Sequence, residues 1–127
     1  MQGKLFEKLG SLAKKAVVIT EGVVSYLSND NAAALSEDIY TIPSFQFWIQ
    51  NYGRGNMRNN RRTKKLADSL KDTTPFLFDV KEPLEFFARQ GWKVKENIYI
   101  LDEAVRLGRS MPWAMFPGTY LLKYFRL

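Results

Sequence analysis

The chain has 127 residues, 46% of them hydrophobic and 14% aromatic, which suits one domain with a packed core and excludes a disordered polymer. It contains neither Cys nor His, so disulfides, thiol chemistry, Ser-His triads and the common zinc sites are excluded, and any chemistry falls to carboxylates, Lys, Arg, Tyr, Ser or a cofactor. The net charge of +6 suits polyanions or acidic ligands, while no apolar run approaches the about eighteen residues that span a bilayer and no signal-peptide pattern opens the chain, so a soluble, cytoplasmic protein is expected.

In chain order, Leu5, Leu9, Leu12 and Ala13 recur at helical spacing and predict an amphipathic helix over residues 3–14, with Lys on its outer face. Residues 16–20, Ala-Val-Val-Ile-Thr, have the continuous apolar character of a parallel strand covered on both faces. Ser28, with Asn29, Asp30 and Asn31, supplies N-cap chemistry for a helix through Ala32, Leu35 and Ile39 that Pro43 closes. Phe45 to Gln50 alternates large apolar residues with Gln and reads as a second strand, ended by Asn51-Tyr52-Gly53. The basic segment GRGNMRNNRRTKK follows, carrying Arg54, Arg58, Arg61, Arg62, Lys64 and Lys65 with no acidic residue before Asp68. Leu66, Ala67 and Leu70 suggest a short helix. Pro83 then opens a further helix through Phe87, which Gly91 ends. Trp92 to Leu101 alternates as a strand, Asp102-Glu103 mark a helix or turn start, EAVRLGRSMPWAMFPG reads as a long connection, and YLLKYFRL makes a closing strand. The expected fold is a single α/β domain over 1–127, with parallel strands followed by an antiparallel pair.

Glu21-Gly22 interrupts the apolar run between Ile19 and Val23, where a buried carboxylate would be costly. If the strand ends at Thr20, both residues stand on the rim formed by the carboxyl ends of the strands, where α/β sheets bind ligands. A carboxylate there accepts hydrogen bonds from an amine or hydroxyl, and a glycine lets a ligand approach closely. The plainer reading is a solvated strand end and a turn.

VVITEGVVSYL resembles the segment after the fourth strand in the leucine carboxyl methyltransferase-like group of S-adenosylmethionine-dependent O-methyltransferases, and the order of FQFWIQ and PLEFFARQGW agrees with that group. The resemblance implies the C-terminal half of a seven-stranded class I (Rossmann-like) methyltransferase sheet, strands four to seven. It implies S-adenosylmethionine as cofactor, with Glu21 and Gly22 on its side of the site, and a small-molecule or carboxylate-bearing acceptor. Tyr26, Arg58, Arg61, Arg62 and Trp113 are the substrate or lid candidates. The departure from the group is large, because no GxGxxG or close relative occurs in the sequence. Such a half-sheet would leave its first strand unpaired, so a homodimer or a second chain completing the sheet is expected. No metal ligands are expected.

The alternative is a non-catalytic basic α/β module that binds nucleic acid or an acidic partner through GRGNMRNNRRTKK. Nucleic acid is disfavoured, since Tyr52 and Met57 do not form an aromatic stacking platform. Trp48 and Trp92 read as core residues.

Overall fold

The computed structural model describes residues 2–53, 65, 68–69, 71–73, 75–109 and 119–125. Helix α1 (Gln2–Ser11) leads into strand β1 (Ala16–Thr20), a 3₁₀ turn (Val24–Tyr26) and helix α2 (Asn29–Thr41). Strand β2 (Phe45–Gly53), helix α3 (Pro83–Ala88), strand β3 (Lys93–Tyr99), helix α4 (Ile100–Arg106) and strand β4 (Thr119–Phe125) follow. The expected extended run from Trp92 to Leu101 therefore ends early: at Ile100 the chain turns into α4, whose first turn carries Asp102 and Glu103 where carboxylates favour the exposed N–H groups.

The four strands form one sheet in the order β1-β2-β4-β3. β1 and β2 are parallel, and β4 is antiparallel to both β2 and β3. The last strand is thus inserted between its two predecessors, so β2 and β3 run in the same direction without pairing with each other. The connection from β2 to β3 crosses over through α3, as parallel strands require.

One face of the sheet is packed. Trp48, Gln50 and Tyr52 alternate along β2 and are buried, and the Trp48 ring meets Phe87 of α3 at 5.2 Å and Trp92 at 5.5 Å between centroids. Helix α2 reaches this layer through Ala32, Ser36 and Ile39, buried at the spacing of a single helical face. Trp92 ties α2 to the sheet: its Nε1–H donates to the Ser36 carbonyl at 3.3 Å, and its ring stands edge-on to Tyr40. Trp48 and Trp92 are core residues, as the sequence suggested. Ser28 caps α2 by accepting from the Asn31 amide, as predicted.

Helix α1 contradicts the sequence expectation in its orientation. Phe6 and Gly10, one turn apart, face the protein: Phe6 meets Phe45 at 6.0 Å, and Gly10 sits against Ile42 with its carbonyl accepting from the Ser44 hydroxyl at 2.7 Å. The leucine stripe of Leu5, Leu9 and Leu12 is exposed instead. Strand β1 likewise is covered on one face only. Val18 packs against the core, while Val17 and Ile19 on the opposite face are 51% and 67% exposed. Among the described residues β1 pairs with β2 alone and forms the edge of the sheet.

The basic residues Arg54, Arg58, Arg61, Arg62 and Lys64, and Trp113 in the later connection, lie outside the described residues. No helix among the described residues is long and apolar enough to cross a membrane.

Candidate functional site

β1 ends at Thr20, so Glu21 and Gly22 do stand at the carboxyl end of the strand, and both are exposed. Gly22 has φ +64, a left-handed conformation that costs an L-residue about 1 kcal/mol and lets the chain bend sharply toward the 3₁₀ turn. The bend is held from the neighbouring strand. Asn51 of β2 accepts the Gly22 N–H through Oδ1 at 2.8 Å. Since that oxygen is engaged, the Asn51 side chain has its NH₂ group left to donate. Asn51 was read from the sequence only as part of a strand end, and no local signal marks an Asn there as a latch. Its role exists because β1 and β2 are in a register that sets Thr20 opposite Gln50, one residue before the latch.

A cleft of about 260 Å³ opens beside this bend, lined by Ile19, Thr20, Glu21, Ile49, Gln50, Asn51 and Ile100. Its composition is mixed in a useful way. Ile19 and Ile49, paired across β1 and β2, and Ile100 at the start of α4 give an apolar wall. Glu21 and Asn51 supply a carboxylate and an amide at the rim, with buried Gln50 beneath them. The Thr20 hydroxyl accepts from Trp48 Nε1 at 3.0 Å, which connects the rim to the centre of the core and fixes that rotamer. Such a site suits a ligand with one apolar side and a cationic or hydrogen-bond-donating group directed at Glu21. Among the described residues no group of three or more carboxylates, His or Cys is arranged to hold a metal ion.

Beyond the bend, the segment before α3 is tied down across the 3₁₀ turn. The Leu77 and Phe78 amides donate to the Ser25 carbonyl at 3.0 and 3.3 Å. Asn29 forms a two-way clamp on Asp79, its Nδ2 donating to the Asp79 carbonyl and its Oδ1 accepting the Asp79 N–H, both at 3.0 Å. Tyr26 stacks on Phe76 at 5.2 Å and is not among the residues that line the cleft. Glu21 thus lines the cleft and Gly22 forms the bend beside it, while Tyr26 packs on Phe76 away from the lining residues. Arg58, Arg61, Arg62 and Trp113 cannot be located relative to it, since they fall outside the described residues.

No family model and no curated protein matches the sequence. Solved structures do match the fold. The magnesium protoporphyrin IX methyltransferase ChlM from Synechocystis PCC 6803, with bound SAH, superposes with a TM-score of 0.53 at 14% identity, over 94% of this chain and 48% of that one. TnmH superposes with a TM-score of 0.51 at 9% identity, over 91% of this chain and 31% of that one. The chain thus spans less than half the length of either structure, and its architecture is that of a partial class I methyltransferase fold.

Proposed function

We propose that this chain is part of an S-adenosylmethionine-dependent methyltransferase, one that transfers a methyl group to an oxygen of a carboxylate or hydroxyl acceptor. The observation that carries the reading is the coincidence of a fold that superposes on a methyltransferase and a carboxylate-and-amide cleft at the carboxyl ends of β1 and β2. Membership of the leucine carboxyl methyltransferase-like group rests on VVITEGVVSYL.

The residues present fit one side of such a cofactor. Glu21 offers acceptors to its ammonium or hydroxyl groups, Gly22 allows close approach, and the Ile19, Ile49 and Ile100 wall accepts an apolar surface. The other side is unsupplied by this sequence, which has no Gly-rich loop; those contacts come from residues beyond this chain. The bound cofactor supplies an already activated methyl group, so the protein's task is to position an oxygen nucleophile and exclude water. A carboxylate acceptor is ionised at neutral pH and needs no general base, which agrees with a chain devoid of His and Cys. Asn51 contributes by holding the Gly22 bend, and with it the Glu21 carboxylate, in place before a ligand arrives.

Heteronuclear NMR titration of the chain with SAH, at protein concentrations low enough to keep it dispersed, tests this reading. Binding is expected in the millimolar range only, with shifts confined to the Gly22 backbone amide, the Asn51 side-chain amide and the Ile19, Ile49 and Ile100 methyl groups. Glu21→Gln is expected to reduce those shifts at a given SAH concentration. Shifts centred elsewhere, or none at saturation of the solubility limit, would show the assignment of the cleft to be wrong.

A further inference from the structure

Two residues of the cleft are each held by a bond that fills an acceptor and leaves a donor. The Thr20 hydroxyl accepts the Trp48 indole N–H at 3.0 Å, and among the described residues no group accepts its own proton. Asn51 is in the same position: its Oδ1 takes the Gly22 N–H at 2.8 Å, and its Nδ2 has no partner among the described residues. Both side chains line the cleft of about 260 Å³. They reach it from opposite faces of the sheet. Thr20 shares its face with Val18, on the packed side where Trp48 lies, whereas Asn51 follows Gln50 and belongs to the other face with Ile49. The indole that holds Thr20 is itself fixed, because Trp48 is fully buried and packed on Phe87 and Trp92. Among the described lining residues Glu21 alone is charged, and an ionised carboxylate only accepts.

We propose that Thr20 and Asn51 hold the oxygen of the methyl acceptor, that Trp48 is the positioning residue for Thr20, and that Glu21 sets the order in which the cleft fills. The inference rests on reading the cleft as a methyl-transfer site and adds the division of labour within it. A hydroxyl and an amide N–H at the end of the sheet, one from each face, suit an oxygen that offers lone pairs, while Glu21 takes a cationic or donating group. An anionic oxygen that reaches the two donors in an empty cleft meets the Glu21 charge unopposed, and a cation on Glu21 removes that repulsion. The cationic ligand therefore enters first and the acceptor second. Thr20 also could not be exchanged for Val without loss: Thr20→Val keeps the β-branched shape and removes both the donor and the partner of the Trp48 indole.

Hexanoate and hexylammonium, which share an apolar tail and carry opposite charges, are the probes, and NMR of the full chain reads the Trp48 indole N–H and the Asn51 side-chain amide. Hexanoate is expected to shift both, and hexylammonium to leave the Trp48 indole in place. Thr20→Val is expected to weaken hexanoate about tenfold, read on the Asn51 amide, and Thr20→Ser to restore it. Asn51→Asp keeps an oxygen for the Gly22 N–H and replaces the donor with a negative charge, and is expected to abolish the hexanoate shift of the Trp48 indole. Glu21→Gln is expected to bind hexanoate about threefold more tightly, the opposite of its effect on SAH. Circular dichroism verifies that each variant is folded. Equal shifts of the Trp48 indole by both probes, unchanged hexanoate affinity in Thr20→Val or Asn51→Asp, or weaker hexanoate binding in Glu21→Gln overturns the inference. Hexanoate shifts of the expected pattern without SAH shifts count against the cofactor reading and leave the donor pair standing. SAH shifts without a hexanoate response at the Trp48 indole overturn the donor pair and leave the cofactor reading in place.

Discussion

Two glycines with the same sign of φ differ in what surrounds them, and the difference is measurable. Gly22, at φ +64, has open space where a Cβ would stand, so Gly22→Ala costs backbone strain alone, about 1 kcal/mol. Gly91, at φ +100, would place a Cβ 2.7 Å from Cζ of Tyr40, the ring that stands edge-on to Trp92. Gly91→Ala therefore adds overpacking to strain, and a total of about 2–4 kcal/mol is expected. Urea denaturation of both variants checks the order; equal losses would mean that the Tyr40–Trp92 contact yields easily. At this scale the sequence was partly legible. The Glu-Gly interruption marked the end of β1 because a carboxylate after four apolar residues has to leave the core. Asn51 was not legible, because its function depends on a neighbouring strand brought beside it by folding and on no pattern in its own surroundings.

Among the elements, α2 depends on its first turn twice over. Ser28 caps it, and Asn29 holds the strand-like segment before α3 across the 3₁₀ turn. Ser28→Ala is expected to cost about 1 kcal/mol, the loss of one capping bond. Asn29→Ala removes two bonds to backbone groups and is expected to cost about 1–3 kcal/mol, with faster proteolysis within residues 75–79 as its distinguishing sign. Protection of those residues from protease in Asn29→Ala would count against the clamp. Phe87→Ala, which empties the contact of α3 with Trp48, is expected to cost about 3–5 kcal/mol by thermal or chemical unfolding. Element type was legible wherever caps and turn residues spoke: Ser28, Pro83 and Gly91 each stand where their chemistry predicts. It was illegible in α1 and at the end of β3. In α1 the leucines outvoted Phe6 and Gly10 as the inward face, since a sequence shows where an apolar stripe is and not what is present to cover it. After Tyr99, Ile100 and Leu101 prolong an apolar run that suits a strand, and only the tertiary turn into α4 ends it.

For the whole molecule, the parallel pair and the antiparallel finish were readable from element order, and the insertion of β4 between β2 and β3 was not, because strand adjacency is set by packing rather than by succession in the chain. That insertion makes a strong prediction. A chain stopped before Thr119 leaves β3 with no strand to pair with and β2 with its second edge open, so it is expected to lose cooperative unfolding by circular dichroism, whereas β1 still has β2. A sharp thermal transition in that truncated chain would show that the first half of the sheet is self-sufficient.

The position of β4 also orders events in time. β1 and β2 precede β4 in the chain, so during synthesis the parallel pair is complete while the residues that must separate β2 from β3 are still unmade. The side of the sheet formed by β4 and β3 therefore closes after the parallel pair.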